Sequence, residues 1–127
     1  METIKENLIK AEEIAIKLFN EVENRQLIVA GKTEEQLNKE VFNLAKELFG
    51  IEKHWHKRIV RCGENTLSPY NENPPNLIIK DDDILFFDFG PIIEKWEADL
   101  GRTYVIGNNP LKHKLKNIII HSIKQSY

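Results

Sequence analysis

The chain has 127 residues, 41% of them hydrophobic, with 18 basic and 20 acidic side chains and a single cysteine, a composition that suits one small globular domain with its own core. A formal net charge of −2 with the signs intermixed creates no field that would draw nucleic acid or an anionic membrane, and a lone thiol excludes an internal disulfide framework and fits a reducing, cytoplasmic setting. The N-terminus alternates charge where a signal peptide needs an apolar region, and no apolar run approaches the roughly 18 residues of a membrane span.

Thr3 followed by Glu6 has the form of a capping box, and Ile4, Leu8, Ala11, Ala15, Leu18 and Val22 recur at helical spacing. The first element is therefore an amphipathic helix. Gly31 punctuates, Thr33 with Gln36 repeats the capping pattern, and Leu37, Val41, Leu44 and Leu48 form a second stripe ending before Gly50. The Glu, Lys and Asn residues on the outer faces read as solvated surface rather than a partner site.

After Gly50 the period changes. Residues 55–62 suggest a strand, residues 71–76 with Pro74 and Pro75 a loop, residues 77–79 a short apolar piece, and Asp81, Asp82 and Asp83 a turn. Residues 84–89 are β-rich and apolar enough for burial on both faces, and residues 95–106 return as another strand. Gly107 to Pro110 end it, and Leu111, Leu115, Ile118, Ile119 and Ile123 resume a helical period. Two helices, antiparallel strands and a closing helix make the fold class α+β.

Residues 86–104, FFDFGPIIEKWEADLGRTY, place Asp88 and Asp99 eleven positions apart inside this β region. A hairpin whose turn is centred on Ile93 and Glu94 sets the two acids directly opposite each other, with Cβ atoms about 4.5–5.5 Å apart. Ile84 and Phe86 share the Asp88 face, while Leu85, Phe87 and Phe89 line the other, so both carboxylates are expected to be desolvated. Acids so placed need a cation or must take up a proton. Arg102, three residues from Asp99, points to the opposite face of a regular strand and could pair with it only through a twist or bulge. A structural pair of that kind, a solvent-exposed hairpin, a shared proton, and one or two divalent ions held between oxygen ligands are the alternatives.

His54 and His56, in KHWHKRIVRCGEN, fall on one face of a strand and with Cys62 could imitate part of a zinc site. No second cluster with zinc spacing accompanies them, and surface strand histidines are the alternative. His113 and His121, eight apart in the closing helix, read as surface residues. Cys62 has no nucleophile context and reads as a small packed residue.

Asp88-Phe89-Gly90, ten intervening positions, and Asp99-Leu100-Gly101-Arg102-Thr103 together resemble the metal-binding hairpin of the pita-bread metallopeptidases, the family of methionine aminopeptidase, aminopeptidase P and prolidase. The likeness runs back through Gly31-Lys32-Thr33-Glu34 and forward to Asn109-Pro110, and it is closer to aminopeptidase P and prolidase. It implies an incomplete pita-bread fold, with residues 1–127 as the N-terminal half of the catalytic domain. It also implies Asp88 as a ligand of one metal, Asp99 as a bridge between two ions (Mn, Co, Zn or Fe), and hydrolysis of peptide substrates by a metal-activated water.

The family adds a histidine and two glutamates that have no counterpart in this sequence. The resemblance thus implies a chain inactive alone, whose uncovered sheet edge and last helix favour a homo-oligomer or a complementing C-terminal half. The family also uses a histidine upstream of the first aspartate. At the expected spacing this chain reads Ser68-Pro69-Tyr70, which leaves His54 or His56 as the candidate catalytic imidazole. A non-catalytic module that binds peptide or protein is the alternative, although such a module has no reason to hold two opposed acids.

Overall fold

A computed structural model describes residues 3–107, and its architecture is α+β. The capping box forms: Glu6 N–H donates to the Thr3 hydroxyl at 3.1 Å and Thr3 N–H to the Glu6 carboxylate at 3.2 Å, starting α1 (Ile4–Asn24). The Thr33 hydroxyl likewise accepts from Gln36 N–H to open α2 (Glu34–Phe49), and Gly50 closes that helix in the left-handed conformation at φ 67°. Both apolar stripes are buried along their middles, from Ala11 to Val22 and from Leu37 to Ala45, while Ile4 and Leu48 near the helix ends stay exposed.

Three strands form an antiparallel sheet in the order β1-β2-β5: β1 (Ile59–Cys62), β2 (Asp83–Phe89) and β5 (Leu100–Ile106). On β2, Leu85, Phe87 and Phe89 are buried and alternate with half-buried Ile84, Phe86 and Asp88. The buried set joins the helices in one core: Phe19 meets Phe87 at 5.6 Å and Tyr104 at 6.4 Å between ring centroids. Fully burying one such ring is worth about 1.5–3 kcal/mol, so Phe87→Ala would remove a central support of the sheet. Between β2 and β5, two short strands, β3 (Ile92–Ile93) and β4 (Trp96–Glu97), pair as the tip of the hairpin.

Three sequence expectations change. The strand expected over residues 55–62 is reduced to Ile59–Cys62, because the chain bends at Trp55 and His56; before the bend His54 makes an isolated bridge to Pro91. The strand expected over residues 95–106 is broken at Ala98 and Asp99 into β4 and β5. The hairpin turn lies at Glu94 and Lys95, with Ile93 paired to Trp96, so Asp88 faces Gly101 rather than Asp99. Because the register differs by two residues, an even number, Asp88 and Asp99 still share a face and become diagonal neighbours. The closing helix expected around residues 111–123, with His113 and His121, lies outside the described residues.

Candidate metal centre

Asp88 leaves β2 on the face turned away from Phe87 and Phe89, and its partner on β5 is Gly101. Asp99 stands at the break before β5, at the neck of the hairpin. The Asp88 side chain is 43% exposed and that of Asp99 18%. The expected desolvation therefore holds better for Asp99 than for Asp88, whose face opens to solvent.

The third participant is His56. The bend at residues 55–57 carries its ring over Gly90, with the Trp55 indole edge-on at 4.5 Å and the Tyr70 ring at 5.7 Å. The imidazole is 8% exposed. Its Nδ1 lies 2.6 Å from the Lys57 carbonyl oxygen, which can only accept, so Nδ1 carries a proton and donates it. Nε2 then faces Asp88 Oδ1 at 3.7 Å and Asp99 Oδ1 at 3.8 Å.

These three residues each offer a ligand atom, all within 4.8 Å of one another. Donors about 2.1 Å from a common ion lie roughly 3–4 Å apart, so the cluster has the spacing of a cation site after only small side-chain rotation. An imidazole whose other nitrogen is fixed by a carbonyl, beside two carboxylates, is the donor chemistry of manganese, iron, cobalt or zinc. The chain's own residues fit a divalent metal.

His54 does not join them. Its ring packs against Phe42 and Phe89, each at 5.8 Å, and burial, with smaller contributions from the charges of Arg58 and His56, pulls its pKa down to about 4. It is a neutral ring in an aromatic pocket. Cys62 is also structural: its thiol is pushed up to about 12, first by burial and then by Glu34 and Asp83. Arg102 points to the helix face as expected, with its guanidinium 4.8 Å from the centre of the Phe19 ring.

Tyr70 reaches the site from the stretch where an upstream histidine was expected. Its loop is held by the buried Arg61, whose guanidinium donates to the carbonyls of Ser68 at 2.6 Å, Pro69 at 3.2 Å and Glu72 at 3.0 Å. Lys57 lies 5.0 Å from the centre of the Tyr70 ring and donates to Glu72 O and Asn73 Oδ1. Trp55 did not emerge from sequence as a neighbour of the site, its adjacency to His56 being the only signal, and Gly90 was read as part of the hairpin motif without its place beneath the His56 ring.

A family model described as metallopeptidase family M24 matches residues 6–124. Over 57 residues the chain is 35% identical to a Mycoplasma genitalium protein that carries the name Xaa-Pro aminopeptidase, an alignment covering 45% of this chain and 16% of that protein. The solved X-Pro aminopeptidase of Thermotoga maritima matches with a TM-score of 0.72 at 25% identity, over 88% of this chain and 31% of that one. A prolidase from Thermococcus sibiricus matches with a TM-score of 0.67 at 27% identity, over 86% and 30%. The chain thus spans about three-tenths of the length of these solved relatives.

Proposed function

Because the chain belongs to metallopeptidase family M24 and has the pita-bread fold of its relatives, we propose that it supplies the hairpin half of a metal-dependent peptide-hydrolysing site. Asp88 and Asp99 are its carboxylate ligands, and His56, not His54, is its imidazole. The observation that carries this reading is the convergence within 4.8 Å of three donors from three separate segments: the bend at residues 55–57, β2, and the break before β5. A peptide- or protein-binding module leaves that convergence without a purpose.

The bound metal would supply a water acidic enough to act as nucleophile near neutral pH, and an electrophile for the peptide carbonyl. The chain's own part is positional. Asp88 and Asp99 would hold the ion with their carboxylates, from β2 and from the break before β5. His56 donates a hydrogen bond from Nδ1–H to Lys57 O, which leaves the Nε2 lone pair turned toward the two carboxylates as the third donor for the ion. The names of the relatives support an Xaa-Pro peptide as substrate.

On this reading residues 1–127 form the N-terminal half of a catalytic domain, and the histidine and two glutamates that complete the family set have no counterpart in this sequence. The chain alone is expected to bind an ion without turning over an Xaa-Pro peptide. Thermal melts with and without manganese test the site: ligand at 100 times its Kd adds about 2.7 kcal/mol to stability. The wild type should melt several degrees higher with manganese, and Asp99→Asn should lose that rise while keeping its metal-free melting temperature. A wild type indifferent to manganese, cobalt and zinc would overturn the proposal.

A further inference from the structure

We propose that Trp55 is a positioning residue of this site, fixing His56 relative to both carboxylates by bonding to each arm of the hairpin neck. The inference rests on the metal reading above. Trp55 remains 40% exposed, so apolar burial explains only part of its placement. Its two N–H groups explain the rest. The main-chain N–H donates to Gly90 O at 2.9 Å, and the indole Nε1–H donates to Ala98 O at 2.9 Å. Gly90 follows Asp88 by two residues, and Ala98 directly precedes Asp99.

The bond to Ala98 fills a gap that the sequence creates. Ala98 N–H donates to Pro91 O at 3.0 Å, one half of the reciprocal pair that opposed antiparallel residues exchange. Pro91 has no N–H and cannot return the second bond. The buried Ala98 carbonyl therefore takes the indole as its donor, at the break where Asp99 turns into the site. An unanswered acceptor there would cost about 1–3 kcal/mol and loosen the residue that carries Asp99.

The same residue sets His56. Lys53 O accepts from Ile92 N–H at 2.8 Å and His54 bridges to Pro91, so residues 53–55 run along one arm of the neck while the indole reaches the other. The His56 ring is then confined by the indole edge and by Gly90, where an added Cβ would lie 2.5 Å from the imidazole and 2.7 Å from the indole nitrogen. Trp55 touches no reacting group; it holds the spacing between Nε2 and the two carboxylates.

The test is a cycle of Trp55→Phe, Pro91→Ala and the double variant in the full chain. Manganese affinity is read by calorimetry, and the His56 ring by nitrogen NMR of the metal-free protein. Trp55→Phe should weaken manganese binding about tenfold and change His56 from a single Nδ1–H tautomer to a mixture. Adding Pro91→Ala, which restores a main-chain donor for Ala98, should recover most of the affinity. Unchanged affinity and tautomer in Trp55→Phe, or a loss that Pro91→Ala does not recover, would overturn the proposal. If the wild type binds no manganese, the metal reading fails, and the tautomer of Trp55→Phe alone then decides whether Trp55 positions His56.

Discussion

Glu34 and the pair Asp88 and Asp99 are carboxylates taken into the same fold, and they differ in what answers them. Glu34 is buried at the start of α2, where one oxygen accepts from Cys62 N–H at 2.7 Å, the other from Leu77 N–H at 3.1 Å, and both from the Asn65 amide. Those donors come from β1, the 3₁₀ turn that follows it and the loop before β2, so the carboxylate ties three segments to a helix N-terminus. Asp88 and Asp99 instead stand across from an imidazole nitrogen that carries no proton while the ring is neutral. A carboxylate that accepts from two main-chain N–H groups and a buried amide is architecture; two carboxylates brought beside an imidazole nitrogen form a place for a cation.

The widest gap between the two regions should be in stability. Glu34→Ala strands several buried donors and is expected to cost roughly 3–5 kcal/mol. Asp88→Asn or Asp99→Asn in the metal-free chain should cost less than about 1 kcal/mol, since each amide can occupy the partly solvated face. Urea unfolding of the three variants would decide this. A mild Glu34→Ala beside a severe Asp99→Asn would reverse the comparison and make the aspartates the structural group.

The architecture was legible where local chemistry leaves a local trace. Both helices announced themselves by caps and by a 3.6-residue period, and β2 by its run of β-branched and aromatic residues. The hairpin register was not legible, because its turn places Glu94 at φ 59°, a conformation usually marked by Gly or Asn and here carried by a residue that gives no such sign. The two aspartates were found on the correct face nonetheless, since a register error of two residues preserves the side on which they lie. The separation of His54 from His56 was beyond the sequence: strand alternation puts both on one face, whereas the chain bends after His54, at a residue, Trp55, whose hydrogen-bond partners lie some forty positions away.

A smaller effect should come from the glycine beneath His56. Gly90→Ala places a methyl group against two rings held by hydrogen bonds, so it is expected to cost about 1–3 kcal/mol by overpacking. It should also weaken manganese binding about tenfold by displacing His56. Alanine at the nearby Gly101, where the closest atom to a new Cβ is Phe87 O at 3.8 Å, meets no such contact. Manganese titration of both variants separates a site that depends on the confinement of His56 from one that depends on the aspartates alone. Equal affinities would show that His56 can move without consequence.

The smallest effect belongs to His54 and carries the same division into the imidazoles. Burial pulls its pKa from the ordinary 6.5 to about 4, so between those values the unfolded chain binds a proton that the folded chain does not. Its contribution is complete above about pH 6.5 and is lost progressively as pH falls toward 4, where the folded state at last takes up the proton. Partial solvent access reduces the amount to the order of 1 kcal/mol. His54→Phe keeps an aromatic ring between Phe42 and Phe89 and should flatten this part of the urea-midpoint profile between about pH 7 and 4.5, leaving manganese affinity at neutral pH unchanged. His56→Ala should do the reverse, with a large loss of manganese affinity and an intact acid slope from His54. If His54→Phe weakened manganese binding as His56→Ala does, the aromatic pocket would have to be counted with the aspartates rather than with Glu34.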